Sequence, residues 1–442
     1  MARRGLLGES IATAALAGLL FGFDTAVVAG VTADWRTVFG LDDAALGLTV
    51  SAAIWGTLVG ALCAGLPGDL YGARKALRVL AGFYVASALV AALSGGLGAL
   101  IAARFVTGLA IGGSSVLAPV YIAEIAPPAR RGRLVGLFQL MVVAGILVAF
   151  LSNAAVGEIA GHATAWRWKL GVPALPALLF LLLLFRIPDS PRWLIARGRE
   201  AEARTALARI GVPDPDAELA AVRDGIAAEA QERAARLRWS LHRKPILLAV
   251  LLAGFNQLAG INAILYYSND IFAAAGYSRL SADLQTIAIG ATNLVFTLVG
   301  LALIDRLGRK TLLLIGAAGM AVCLAVVAAI FWNVLPKPLL LVMLVGYIAF
   351  FAPSQGAVIW VYLSEIFPTR VRARGMGVGS STHWLMNAII SGLFPLVARH
   401  STGAPFLFFS IMMALQFLVV LAFFPETKGV ALEKMDARME EA

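Results

Sequence analysis

The chain is 442 residues long, 60% hydrophobic and only 14% charged, with a mean hydropathy of +0.84. So few charges cannot furnish the polar surface of a water-soluble protein of this size, which leaves a membrane protein. The formal net charge of +10 raises the question of nucleic acid, but the basic residues follow topology instead, and no nucleic-acid partner is expected.

Apolar runs of roughly 20 residues match a hydrocarbon core about 30 Å thick, and the backbone there must satisfy its own hydrogen bonds, so each run is predicted as a spanning helix. The runs are continuous rather than alternating, which excludes a β-barrel. Twelve helices are predicted, beginning near residues 8, 44, 75, 98, 133, 166, 244, 282, 310, 336, 370 and 404. The first runs past the length of a signal-peptide core and lacks a cleavage motif, so it is expected to remain as a helix. After the sixth helix the composition changes: the stretch 192–243 is rich in Arg, Glu and Ala, is interrupted by Pro213 and Pro215, and reads as short amphipathic helices in water. The organisation expected is therefore a six-helix bundle over 1–191, cytoplasmic linker helices over 192–243, a second six-helix bundle over 244–426 and a short tail over 427–442.

Most Lys and Arg fall in alternate loops on the side of both termini, at Arg74, Lys75 and Arg78, at Arg130, Arg131 and Arg133, in the linker, at Arg306, Arg309 and Lys310, and at Arg370, Arg372 and Arg374. The positive-inside rule makes that side cytoplasmic, in a multi-pass protein of the cell membrane. Cys63 and Cys323 stand in different apolar helices, and His162, His242, His383 and His400 are scattered, so neither disulfide nor metal site is expected. Without a P-loop or a Gly-x-Ser-x-Gly motif, an enzyme or an ATP-driven pump is not expected, and no cofactor is called for.

The chain repeats itself. GDLYGARKA (68–76) corresponds to IDRLGRKTL (304–312), AEIAPPARRG (123–132) to SEIFPTRVRA (364–373), and IPDSPR (187–192) to FPETKG (424–429). Each pair is offset by about 240 residues, which marks a duplicated six-helix unit. Acid and base recurring at these helix ends fit a cytoplasmic gate of ion pairs made by Asp69, Glu124, Arg131, Asp305, Arg306, Arg309, Glu365 and Arg372. The other reading is ordinary solvated loop charge. In the first copy Leu70 and Ala73 replace Arg306 and Arg309, so that loop can form fewer pairs.

These motifs carry a resemblance. Asp-Arg-Leu-Gly-Arg-Lys at 305–310, Pro-Asp-Ser-Pro-Arg-Trp at 188–193, Pro-Glu-Thr-Lys-Gly at 425–429, and Ala-Arg-Phe at 103–105 followed by Pro-Val-Tyr-Ile-Ala-Glu at 119–124 resemble the sugar porter family of the major facilitator superfamily. The resemblance implies an all-α membrane protein of twelve transmembrane helices in two pseudo-symmetric six-helix bundles that rock about a central sugar site.

Asp24 is the one carboxylate in the apolar stretch from Ile11 to Val31. A charge at that depth costs several kcal/mol unless paired, hydrated or neutralised. Arg104, inside the fourth apolar segment, is the obvious partner. Burial favours the neutral acid and a guanidinium favours the carboxylate, so a site alternating between the two takes up and releases a proton; a permanent ion pair holding two helices together is the alternative. By resemblance, Asp24 matches the aspartate of proton-coupled members, with Arg104 as its partner.

A sugar's hydroxyls both donate and accept, so its site needs amides and aromatic faces rather than charges. The apolar helices supply Gln139, Asn256, Gln257, Asn262, Tyr266, Asn293, Trp360, His383, Trp384 and Asn387. Any single amide equally serves as a helix-to-helix bond, worth about 0.6 kcal/mol; their concentration in the second half points to a neutral polyol. The resemblance implies that Gln139, Gln257, Asn262, Asn293, Trp360 and Asn387 contact sugar and that Phe21 and Tyr266 pack against its ring. Asn256 and His383 stand where relatives carry Gln, and His383 either bonds a hydroxyl or adds a second titrating group. The function implied is import of a hexose or pentose with a proton, by a monomer in a lipid bilayer. Rival readings are a proton-independent facilitator, a proton-driven exporter and a nutrient sensor.

Overall fold

The computed structural model describes residues 5–127, 130–160, 164–232, 237–368 and 371–429. Expectations resting on His162, on Arg370, on residues 233–236 of the linker and on residues 430–442 of the tail lie outside the described residues.

Among the described residues no strand forms, and eleven helical spans are long and apolar enough to cross a membrane: Leu6–Gly30, Asp43–Cys63, Ala73–Leu93, Leu97–Ile125, Arg131–Ile159, Ala165–Leu183, Trp239–Tyr266, Arg279–Leu307, Arg309–Phe331, Leu339–Glu365 and Ala404–Phe423. The helix Arg372–His400, 29 residues long, stands eleventh in chain order. It is less apolar because Ser380, Ser381, Thr382, His383 and Asn387 fill its middle. The predicted starts fall within a few residues of these. The largest gap is at the seventh span, which starts at Trp239 because a turn precedes a kink at His242.

The linker forms Pro191–Ala196, Glu200–Ile210 and Pro215–Glu232. Ser190 caps the first of these by accepting from the Trp193 N–H at 3.3 Å, with Pro191 in the first turn, where its missing N–H costs nothing. Leu194, Ile195, Ala203 and Ala206 give the linker a small core of its own.

Contacts group the chain into two compact units. One holds Met1–Asp24, Ala52–Ala149 and Thr164–Ala234, around a core that includes Leu20, Leu77, Tyr84, Tyr121 and Phe180. The other holds Thr25–Ser51, Phe150–Ala163 and Ala235–Ala442, around Leu252, Leu313, Tyr362 and Phe424. The units do not coincide with the sequence halves, since segments 25–51 and 150–163 group with the second half. Within that second unit the short helix Thr32–Phe39 shows one tie: Asp34 accepts from Arg279 at 2.9 Å.

The repeat is visible in the backbone. Gly72 and Gly308 open the third and ninth spans with φ of +85° and +90°, a region that residues with a Cβ enter only under strain. The same turn is thus built twice.

Candidate functional site

In the first unit, Asp24 and Arg104 meet. Arg104 Nη1 donates to Asp24 Oδ1 at 2.5 Å, with side chains 4% and 8% exposed for the arginine and the aspartate. Two charges so far from water persist only because each neutralises the other. Arg104 Nε and the hydroxyl of the buried Tyr84 make no hydrogen bond among the described residues, and Tyr84 lies within electrostatic reach of both charges. The sequence reading does not single out Tyr84. Phe21 and Gln139 are half-buried in the same unit, Phe21 against its core.

The amides of the second unit form a connected cluster because the seventh span is broken. Gly260, at φ +81°, ends one helix and caps Ile261–Tyr266, which is followed by Ser268–Ala274. The break folds Asn262 back on Gln257: Asn262 Nδ2 donates to Gln257 Oε1 at 2.9 Å, and Gln257 Nε2 donates to Asn256 Oδ1 at 3.0 Å. Gln257 Nε2 also lies 3.2 Å from the His383 ring nitrogens. His383 sits between two indoles, 5.4 Å from the Trp360 ring and 5.1 Å from that of Trp384, edge-on to the latter. Asn387 Nδ2 reaches the Tyr266 hydroxyl at 3.5 Å, and its carbonyl accepts from Ser391 at 3.0 Å. Asn293 is 7% exposed. The hydrogen bonds of this cluster run between amides, hydroxyls and imidazole, so it offers donors and acceptors without net charge.

Two buried amides belong to this cluster and escaped the sequence reading. Asn256 Nδ2 donates to the Gln355 carbonyl at 3.3 Å, and Gln355 Nε2 donates to Gln416 Oε1. Both were visible by the signal that found the rest, an amide in an apolar run.

The acid and base residues at the repeated turns divide by copy. Arg309 donates to Glu365 at 2.9 and 3.1 Å and to Asp305 at 3.0 Å, and Thr427 donates to Glu365 at 2.6 Å. Arg306 contributes its main-chain carbonyl, which accepts from Lys428 Nζ at 2.6 Å. In the first copy Asp69 contributes its carbonyl to Trp193 and Arg197, and Glu124 lies near Ser190 and Arg192. Arg131 is exposed and Arg372 half-buried.

Comparison with known proteins places the chain. Residues 10–439 match the family model described as sugar (and other) transporter. The chain is 36% identical to the arabinose-proton symporter of Bacillus subtilis over 96% of this chain and 93% of that one. It is also 36% identical to the glucose facilitated diffusion protein of Zymomonas mobilis, over 98% and 97%. The xylose transporter XylE from E. coli, in its inward open conformation, superposes with a TM-score of 0.87 at 30% identity, covering 98% of this chain and 99% of that one. The chain is a multi-pass membrane protein with the twelve-helix major facilitator fold, and it belongs to the sugar transporter family.

Proposed function

We propose that the protein imports a monosaccharide together with a proton by alternating access, acting as a monomer in the cell membrane with both termini in the cytoplasm. The observation that carries this reading is the Asp24 and Arg104 pair, sealed from solvent in a helix bundle. An intramembrane ion pair marks an ion pathway by default, because structure alone is served more cheaply by apolar packing. A proton from outside adds to a carboxylate oxygen of Asp24, cancels its charge and frees Arg104; the proton leaves inward when the pair re-forms. The uncharged cluster around Gln257, Asn262, His383 and Asn387 holds the sugar's hydroxyls, with Trp360 and Trp384 against its apolar faces. The bonding of His383 to Gln257 supports its reading as a hydroxyl partner rather than a second titrating group. The Arg309 cluster closes the cytoplasmic side.

The relative from Zymomonas, named for facilitated diffusion, keeps one rival alive, in which the pair is a permanent tie and sugar moves without protons. Uptake of labelled glucose, xylose and arabinose into proteoliposomes, with and without an inward proton gradient, separates the two. The wild type is expected to accumulate sugar above equilibrium only with the gradient, and Asp24→Asn to lose accumulation by more than tenfold while still equilibrating sugar. Equilibration without accumulation by the wild type means a facilitator.

A further inference from the structure

The tenth span is not a continuous α-helix. Residues Ala352–Gly356, of sequence APSQG, wind as a single π turn, a departure that concentrates at functional sites. Its local causes are plain. Pro353 has no N–H to give the Ala349 carbonyl, and the Ser354 hydroxyl bonds back to the next carbonyl along, donating to that of Phe350 at 2.6 Å. Gly316 of the ninth span makes room, since a Cβ there would collide with Ser354 Oγ.

The bulge carries Gln355, and both of its ends are used. Its carbonyl accepts from Asn256 Nδ2 at 3.3 Å, and its side chain donates to Gln416 in the last span. Gln355 is 0% and Gln416 1% exposed. The arrangement leaves Gln355 Oε1 and Gln416 Nε2 shielded and without a partner among the described residues. Two orphaned polar atoms are a standing cost that a pair of leucines would not incur. A chain of bonds therefore runs from the last span through Gln355 to Asn256, then to Gln257, and from there to Asn262 and His383.

We infer that Gln355 and Gln416 are positioning residues for sugar binding: their amide pair pins the bulge so that the Gln355 carbonyl holds Asn256, and through it the Gln257 amide, in the orientation that receives a sugar hydroxyl. This rests on the proposal that the cluster is a monosaccharide site.

The test is equilibrium binding of labelled glucose, xylose and arabinose to detergent-purified wild type, Gln416→Leu and the double variant Gln355→Leu with Gln416→Leu, each with its melting temperature. Gln416→Leu is expected to raise the dissociation constant of the tightest-bound sugar about 5- to 10-fold and to lower the melting temperature, because Gln355 is left unpaired. The double variant removes both polar groups, so its melting temperature is expected to recover while the weakened affinity persists. Affinity that recovers together with stability, or that never changes, overturns the inference and leaves the sugar site standing. A wild type that binds none of the three sugars overturns both.

Discussion

In the turn after the eighth span, Arg309 bonds Glu365 and Asp305 while Glu426 accepts from the N–H groups of Arg309 and Lys310. In the matching turn after the second span, Ala73 stands in the place of Arg309. Arg74, one residue on, pairs with Asp189 at 2.7 Å and donates to the Ile187 carbonyl at 2.6 Å. The backbone is shared, down to the positive φ of Gly72 and Gly308, but the charges are wired differently. In both copies the residue two past the glycine still reaches a carbonyl in the segment closing its half, Ile187 for Arg74 and Leu421 for Lys310. The turn is therefore a property of the glycine, and the ion pairs are a separate layer that the two copies wire differently around the same backbone shape.

Substitutions in the two turns test that separation. The largest effect is expected from Arg309→Ala, whose side chain is only 11% exposed. It leaves Glu365 and Asp305 without their cation and should lower stability by about 2 to 4 kcal/mol, read as a drop in melting temperature in detergent. Arg74→Ala removes one ion pair and one carbonyl contact and should lose less, about 1 to 2 kcal/mol; equal losses would mean that the two copies carry the same load. The smallest effect is expected at Glu202, which accepts two bonds from Arg199 on the exposed linker. Arg199 holds that carboxyl below its ordinary range, so the pair contributes above the carboxyl's usual titration and its contribution is lost as pH falls. Solvent screening makes that contribution small, and Glu202→Gln should melt with the wild type at pH 7 as at pH 4. A measurable loss at pH 7 would show that the linker pair is coupled to more than its own helix.

The regular parts of this architecture were legible because they rest on composition: twelve apolar runs, a basic side, and a repeat carried by glycine, proline and charge. The pairing of Asp24 with Arg104 was legible for the same reason, since few intramembrane charges leave few partners. The interruptions are not legible in the same way. Gly254 and Gly260 both stand in the seventh span, but the helix breaks only at Gly260, where φ is +81°; Gly254 lies inside a continuous helix. A glycine permits a break without dictating one. The π turn at Ala352–Gly356 went unread because Pro353 alone does not tell a kink from a bulge; Ser354 and the space over Gly316 decide it. Gln355 and Gln416 carry the same signal as the other amides, but the bond from Asn256 to the Gln355 main-chain carbonyl does not show in the sequence, since the partner of a carbonyl has no residue signature. The tie of Asp34 to Arg279 depends on long-range packing that spacing does not encode.

Glu426 has a practical implication. It lies just past the last span, yet its carboxylate packs against Gly308, where a Cβ would collide with it, and accepts from the otherwise unpaired N–H groups that begin the ninth span more than a hundred residues earlier in sequence. Any shortened version of the protein ending at Phe424 would fray a helix in the interior of its own second half. Purification handles and fluorescent fusions belong after Gly429, where they leave that clasp intact.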